Sequence, residues 1–111
     1  MTDKIVVLSS CAVRTEAEAL ARRLVELRLA ACVSVVPGAQ SVYRWKGAVE
    51  TSEECLLLIK SSRERFRELA ATLQAAHSYE VPELIALSVV EGSPDYLNWL
   101  GASLDREGEE K

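Results

Sequence analysis

Strand-like and helix-like blocks follow one another in the order β-α-β-β-α-β, which predicts an α+β fold, a ferredoxin-like βαββαβ sandwich with a long projecting hairpin and a short C-terminal helix. Three observations carry this expectation. Apolar runs of strand length stand at 5–8 and 84–90, two helical periods of apolar residues lie between strand-like blocks, and a Lys46-Gly47 turn signal joins two unusually long β segments. Short right-handed connections suit that order. With 111 residues, 49% of them apolar, the chain is expected to form one domain over 1–104 and to end in a charged, frayed tail over 105–111.

Ile5-Val6-Val7-Leu8 is apolar without alternation, as expected of a central strand covered on both faces, and Ser9-Ser10-Cys11-Ala12 reads as a small polar loop after it. Thr15 and Glu18 have the spacing of a capping box, and Ala17, Leu20, Ala21, Leu24 and Leu27 recur at helical period, predicting a helix over 15–29. β character begins at Cys32, is interrupted by a bend or bulge at Pro37-Gly38, and resumes through Val42-Tyr43-Arg44-Trp45. The return strand runs from Val49 to Ile59, and its apolar second half, Cys55 to Ile59, is expected to be buried on both faces. Ser61 and Glu64 repeat the capping-box spacing, and Phe66, Leu69, Ala70, Leu73 and His77 share one helical face. Pro82 disfavours the α region at Val81, so this helix is expected to stop by 77–79. Leu84 to Val90 reads as another buried strand, and Ser93-Pro94-Asp95 as an N-cap with proline at the first helical position.

The hairpin is too long for its own domain. Two arms of about 12–15 residues would span roughly 40–50 Å, whereas a domain of this size has a radius of gyration of about 13 Å. A projecting tip carrying Tyr43 and Trp45 exposes apolar surface and unpaired edges, which predicts association with other copies of the chain.

Composition excludes several classes of function. The net charge of −4 disfavours nucleic acid, and no apolar run approaches the length of a membrane span. Met1-Thr2-Asp3-Lys4 has none of the features of a secretory signal, and three cysteines without a C-x-x-C pattern indicate neither a disulfide framework nor a zinc finger; cytoplasmic localisation is expected. Phosphate-loop, dinucleotide, zinc-protease and nucleophile-elbow motifs are all missing, and no organic cofactor is indicated.

Chemistry concentrates in the joint His77-Ser78-Tyr79-Glu80-Val81-Pro82-Glu83, where helical period gives way to a strand and a scaffold commonly displays function. His77, the one histidine, and Cys11 are the candidate ligands for a soft or borderline divalent cation, with Glu50, Glu53 and Glu54 as further oxygen donors near the hairpin. Cys32 and Cys55 read as small hydrophobes in strands. Glu80 and Glu83 straddle Pro82 and do not share a helix face, which weighs against paired-carboxylate catalysis.

Leu29-Ala30-Ala31-Cys32-Val33, Val36-Pro37-Gly38, Ser41 to Gly47, Leu58-Ile59-Lys60-Ser61, His77 to Glu83 and Tyr96-Leu97-Asn98-Trp99 together resemble the CutA family of divalent-cation tolerance proteins, in order across roughly residues 5–102. The resemblance implies a cytoplasmic homotrimer of ferredoxin-like subunits with hairpins packed on neighbours, loosely associated with copper and other divalent metal ions, and with no assigned enzyme activity. It also implies that His77 is the family's histidine before the Tyr-x-x-Pro-Glu motif, and that Tyr43, Trp45, Lys60, Tyr79 and Glu80 line an inter-subunit cleft. Ser78 stands where the family usually has proline, a local loosening, and Ser9 occupies the place of the first-loop cysteine, which here comes two residues later as Cys11. The expected function is weak metal binding in divalent-cation tolerance. The alternatives are a signalling or adaptor trimer holding a small anionic ligand beside Lys60, or a small enzyme using His77 and Glu80.

Overall fold

The computed structural model describes residues 2–106. Its elements are β1 (Lys4–Cys11), α1 (Arg14–Glu26), β2 (Cys32–Trp45), β3 (Ala48–Ser62), a 3-10 turn (Arg63–Arg65), α2 (Phe66–Ala76), β4 (Ile85–Ser88) and α3 (Pro94–Leu104). The strands form one antiparallel sheet in the order β2-β3-β1-β4, the ferredoxin-like arrangement. Side chains alternate across β1 and β3, so Ile5, Val7, Leu57 and Ile59 meet Leu20 and Leu24 of α1 and Leu69 and Leu73 of α2 in the main core. A smaller cluster of Ala31, Leu100 and Leu104 seats α3.

The opposite face is only half covered. Val6, Leu8, Leu56 and Leu58 are partly exposed, so the expectation of strands buried on both faces is not met among the described residues. β4 departs further: it is shorter than 84–90, lies at the sheet edge, and leaves Ile85 and Leu87 each 51% exposed. Apolar runs on these strands belong to a face that the described residues cover only in part.

β1 runs three residues beyond Leu8. Ser9, Ser10 and Cys11 continue the ladder opposite Leu57, Leu56 and Cys55, so the expected polar loop is strand. Small hydroxyls are tolerated there because they find acceptors: the Ser9 hydroxyl donates to the Glu83 carbonyl at 2.7 Å. Neither expected capping box forms. α1 begins after Val13, one residue ahead of the Thr15 signal, and Ser61 lies within β3, where its hydroxyl donates to the Leu29 carbonyl at 2.6 Å. α1 also ends earlier than 29, with Arg28 turning the chain at φ 58°. The Ser93 cap does form, its hydroxyl accepting from the Tyr96 N–H at 3.4 Å.

The hairpin matches its sequence signals closely. Lys46 and Gly47 both have positive φ, 49° and 85°, as a two-residue type I′ turn requires. The register slips between Val36 and Ala39, with Gly38 at φ 80° supplying the bulge. The molecule measures 50 × 28 × 22 Å, elongated as the hairpin demands, and Val42, Tyr43, Trp45 and Val49 are exposed. At the other end Arg106 donates to the Leu27 carbonyl at 2.7 Å and to Glu68, so the chain is still anchored there; the rest of the expected frayed tail, 107–111, lies outside the described residues.

Leu57 is fully buried between both helices. Leu57→Ala should lower unfolding stability by about 3 kcal/mol in urea melts, since it removes buried methyl groups and leaves a cavity. A loss below about 1 kcal/mol would show that the core collapses around the gap.

Candidate functional site

His77 follows the last residue of α2 in extended conformation, φ −81° and ψ 143°, which turns its ring inward. The side chain is fully buried. Its Nε2 lies 2.6 Å from the Ser10 carbonyl, and its Nδ1 accepts the Tyr79 N–H at 2.9 Å. A carbonyl can only accept and an amide N–H can only donate. The proton therefore sits on Nε2, Nδ1 presents its lone pair, and the imidazole is neutral.

Cys11 Sγ lies 3.8 Å from that Nε2, although the two residues are 66 apart in sequence. The extension of β1 brings them together. Glu16, in the first turn of α1, adds a carboxylate oxygen 3.8 Å from Nδ1. Cys11, Glu16 and His77 place their donor atoms within 4.8 Å of one another, the one such group among the described residues. Glu50 and Glu53 are exposed on the hairpin and do not join it. Burial first, and the Glu16, Cys55 and Glu54 charges after it, push the Cys11 thiol up to about 12. It is protonated at neutral pH.

Glu16 had no signal of its own in the sequence, where an acid in a first helical turn reads as a partner of the helix dipole. Ser78 holds it in place: its N–H donates to Glu16 at 2.8 Å and its hydroxyl at 3.0 Å. Proline could make neither bond, so serine at this position tightens the joint where the resemblance suggested loosening.

A groove of about 680 Å³ opens beside this cluster, between the hairpin and the 79–83 segment. Tyr43, Trp45, Tyr79 and Glu80 all line it. Glu54 lines its floor and is about nine-tenths buried. Burial pushes the Glu54 carboxyl up, but hydrogen bonds from Tyr79, Ser41 and Ser10 outweigh that and hold it below the usual carboxylate range. The Tyr79 hydroxyl donates to it at 2.6 Å, and the Tyr79 phenol is itself pushed up by burial and by that carboxylate.

Lys60 is not in this groove. It stands on β3 opposite Val6 and Cys32, donating to the Ser34 hydroxyl at 3.0 Å and the Leu58 carbonyl at 3.3 Å. Six residues of strand, roughly 20 Å, separate it from Glu54. Among the described residues, the lining of the groove has no basic side chain. Of the other cysteines, Cys55 is buried as expected, whereas Cys32 is half-buried with its Sγ 3.7 Å from the Tyr96 hydroxyl.

The family model described as CutA1 divalent ion tolerance protein matches residues 5–103. The divalent-cation tolerance protein CutA of Thermus thermophilus is 49% identical over 84 residues, covering 76% of this chain and 82% of that protein. The protein of that name from Pectobacterium atrosepticum is 43% identical over 104 residues and 94% of each chain. Among solved structures, CutA from Xylella fastidiosa superposes with a TM-score of 0.91 at 42% identity, covering 94% of this chain and 100% of that one.

The raised Cys11 pKa has a consequence for stability. The folded thiol keeps its proton to about 12, whereas an unperturbed thiol loses it near 9.0, so its contribution is complete below about pH 9 and is lost as pH rises toward 12. Each such group contributes a slope of at most about 1.4 kcal/mol per pH unit. Denaturant melts between pH 8 and 11 should show Cys11→Ser flattening the alkaline decline; an unchanged profile would mean that the thiol is not buried.

Proposed function

The chain belongs to the CutA1 divalent ion tolerance family, and we propose that it serves divalent-cation tolerance as a weak binder of soft or borderline ions such as Cu²⁺. One observation carries the reading: the sulfur, nitrogen and oxygen donors of Cys11, His77 and Glu16 converge within 4.8 Å. The same geometry supports weakness. An ion entering the cluster displaces the thiol proton and replaces either the Ser10 or the Tyr79 hydrogen bond of His77. With the thiol protonated and the imidazole committed to those bonds, the reading assigns the cluster no catalysis and needs no organic cofactor. It places the protein in the cytoplasm, where thiols stay reduced.

The proposal includes a homotrimer. The long hairpin with exposed Trp45, the half-covered sheet face and the apolar β4 edge are surfaces that further copies would cover. The groove carries no basic residue in its lining, so a small anionic ligand there would need Lys60 from another subunit, and no observation favours that reading.

Calorimetric titration with Cu²⁺ and Zn²⁺ should give weak binding that strengthens with pH, since protons compete for the thiol. His77→Ala and Cys11→Ser should each reduce affinity at least tenfold. Unchanged stoichiometry and affinity in both variants would move the site elsewhere. Light scattering should return about three times the 12.2 kDa chain mass, where a stable monomer would end the trimer reading. Trp45→Ala should weaken the assembly by about 2 kcal/mol if Trp45 anchors a neighbour.

A further inference from the structure

The last rung of the β1–β3 ladder sets Cys11 directly opposite Cys55, and both are free thiols. Residues facing each other across an antiparallel pair point to the same side of the sheet. Here that side is the main core, with Cys11 0% and Cys55 6% exposed. Opposed Cα atoms stand about 4.5–5.5 Å apart in such a ladder, inside the roughly 4.4–6.8 Å over which a disulfide closes. Their Cβ atoms, at about 4.5–5.5 Å, are slightly wider than the roughly 3.5–4.5 Å of a bridge. Closing one therefore draws the two strands together by up to about an ångström.

The sheet is able to yield at this point. The β2–β3 register pairs Val36 with Leu56 and Ala39 with Glu54, which leaves Cys55 facing the Pro37-Gly38 bulge without a ladder partner on β2 among the described residues. Cys11 is the last residue of β1. The two thiols thus meet where one ladder ends and the other is interrupted, and a slightly strained bond formed there stays easy to reduce.

Burial restricts what oxidises the pair. A bulky disulfide has no access to either sulfur, and cysteine reacts as the thiolate rather than the thiol. A metal ion held by Cys11, His77 and Glu16 meets both requirements, because it is small and its binding displaces the Cys11 proton. The geometry points to Cys11 and Cys55 as a dithiol that reduces Cu²⁺ at this cluster to Cu⁺ and closes as a cross-strand disulfide; the inference rests on the metal-binding reading of the cluster. The ion is a substrate here. The Cys11 sulfur gives one electron to a first Cu²⁺ and forms the S–S bond with Cys55, and the second electron passes to a second Cu²⁺. Both S–H bonds break and their protons go to solvent. Two thiols and two Cu²⁺ become one disulfide, two Cu⁺ and two protons. With its sulfur taken into the bridge, the cluster loses its soft donor and releases the ion, and a thiol reductant reopens it. Cytosolic disulfides are usually of this transient kind.

Cys32→Ser removes the third thiol and is the background for each measurement. Anaerobic addition of Cu²⁺ with a Cu⁺-specific chelator should yield two Cu⁺ per chain. Peptide mapping without reductant should then show Cys11 joined to Cys55, and dithiothreitol should part them. Cys55→Ala keeps a small apolar side chain in the core and should lower the Cu⁺ yield at least tenfold. Its affinity for Zn²⁺, which has no redox chemistry and reads the cluster alone, should stay that of the background. If Cys55→Ala does not fold, the peptide map decides. Zn²⁺ binding without Cu⁺ or a bridge overturns the redox inference and leaves the metal-binding reading in place. Binding of neither Zn²⁺ nor Cu²⁺ overturns both. Full Cu⁺ yield from folded Cys55→Ala also overturns the inference, since the electrons then come from elsewhere.

Discussion

The antiparallel ladder between β1 and β3, unbroken from Lys4 opposite Ser62 to Cys11 opposite Cys55, is the interaction on which the rest of the structure depends. Its helix-facing side carries Ile5, Val7, Leu57 and Ile59, the middle of the core. Its far end sets Cys11 and the Ser10 carbonyl against His77, so the buried cluster exists only because the ladder does not stop at Leu8. Beyond Cys55 the same β3 strand continues into the hairpin, and Glu54, the first residue past the ladder, becomes the floor of the groove.

Cluster and groove share two residues. Ser10 gives its carbonyl to His77 and its hydroxyl to Glu54; Tyr79 gives its N–H to His77 and its phenol to Glu54. A change in the bonds of His77 therefore reaches the groove through one strand residue and one turn residue. This is a short physical link, made of hydrogen bonds in a largely buried setting, where such bonds are strong and their loss is costly.

What was legible in the sequence was local. Lys46-Gly47 demands a tight turn, Pro37-Gly38 a bulge, and Ser93-Pro94 a helix start, because each depends on the backbone preferences of one or two residues. Ser9-Ser10-Cys11 misled for the opposite reason: its polarity suggests a loop, but partners 44 and 74 residues away, Cys55 across the ladder for Cys11 and the Glu83 carbonyl for Ser9, make it strand. Leu84 to Val90 reads as buried although its strand is exposed at an edge, because hydropathy records which residues are apolar and not where the strand lies in the sheet. His77 and Cys11 were visible as reactive types; Glu16 was not, since only the path of α1 past the joint brings it near, and Ser78 fixes it there. Tyr43, Trp45, Tyr79 and Glu80 do line one groove, while Lys60 serves a different part of the sheet.

The central position of β1 also shapes how the chain is made. β1 leaves the ribosome first, yet its partners are β3, beginning at Ala48, and β4, ending at Ser88. The hairpin of β2 and β3, by contrast, can zip from its own turn within microseconds. At about 5–20 residues per second, the Ile5–Leu8 run waits several seconds without a strand beside it. A nascent chain of this topology thus carries its stickiest strand unprotected for most of its synthesis, and the growing hairpin arrives as a preformed template onto which that strand docks.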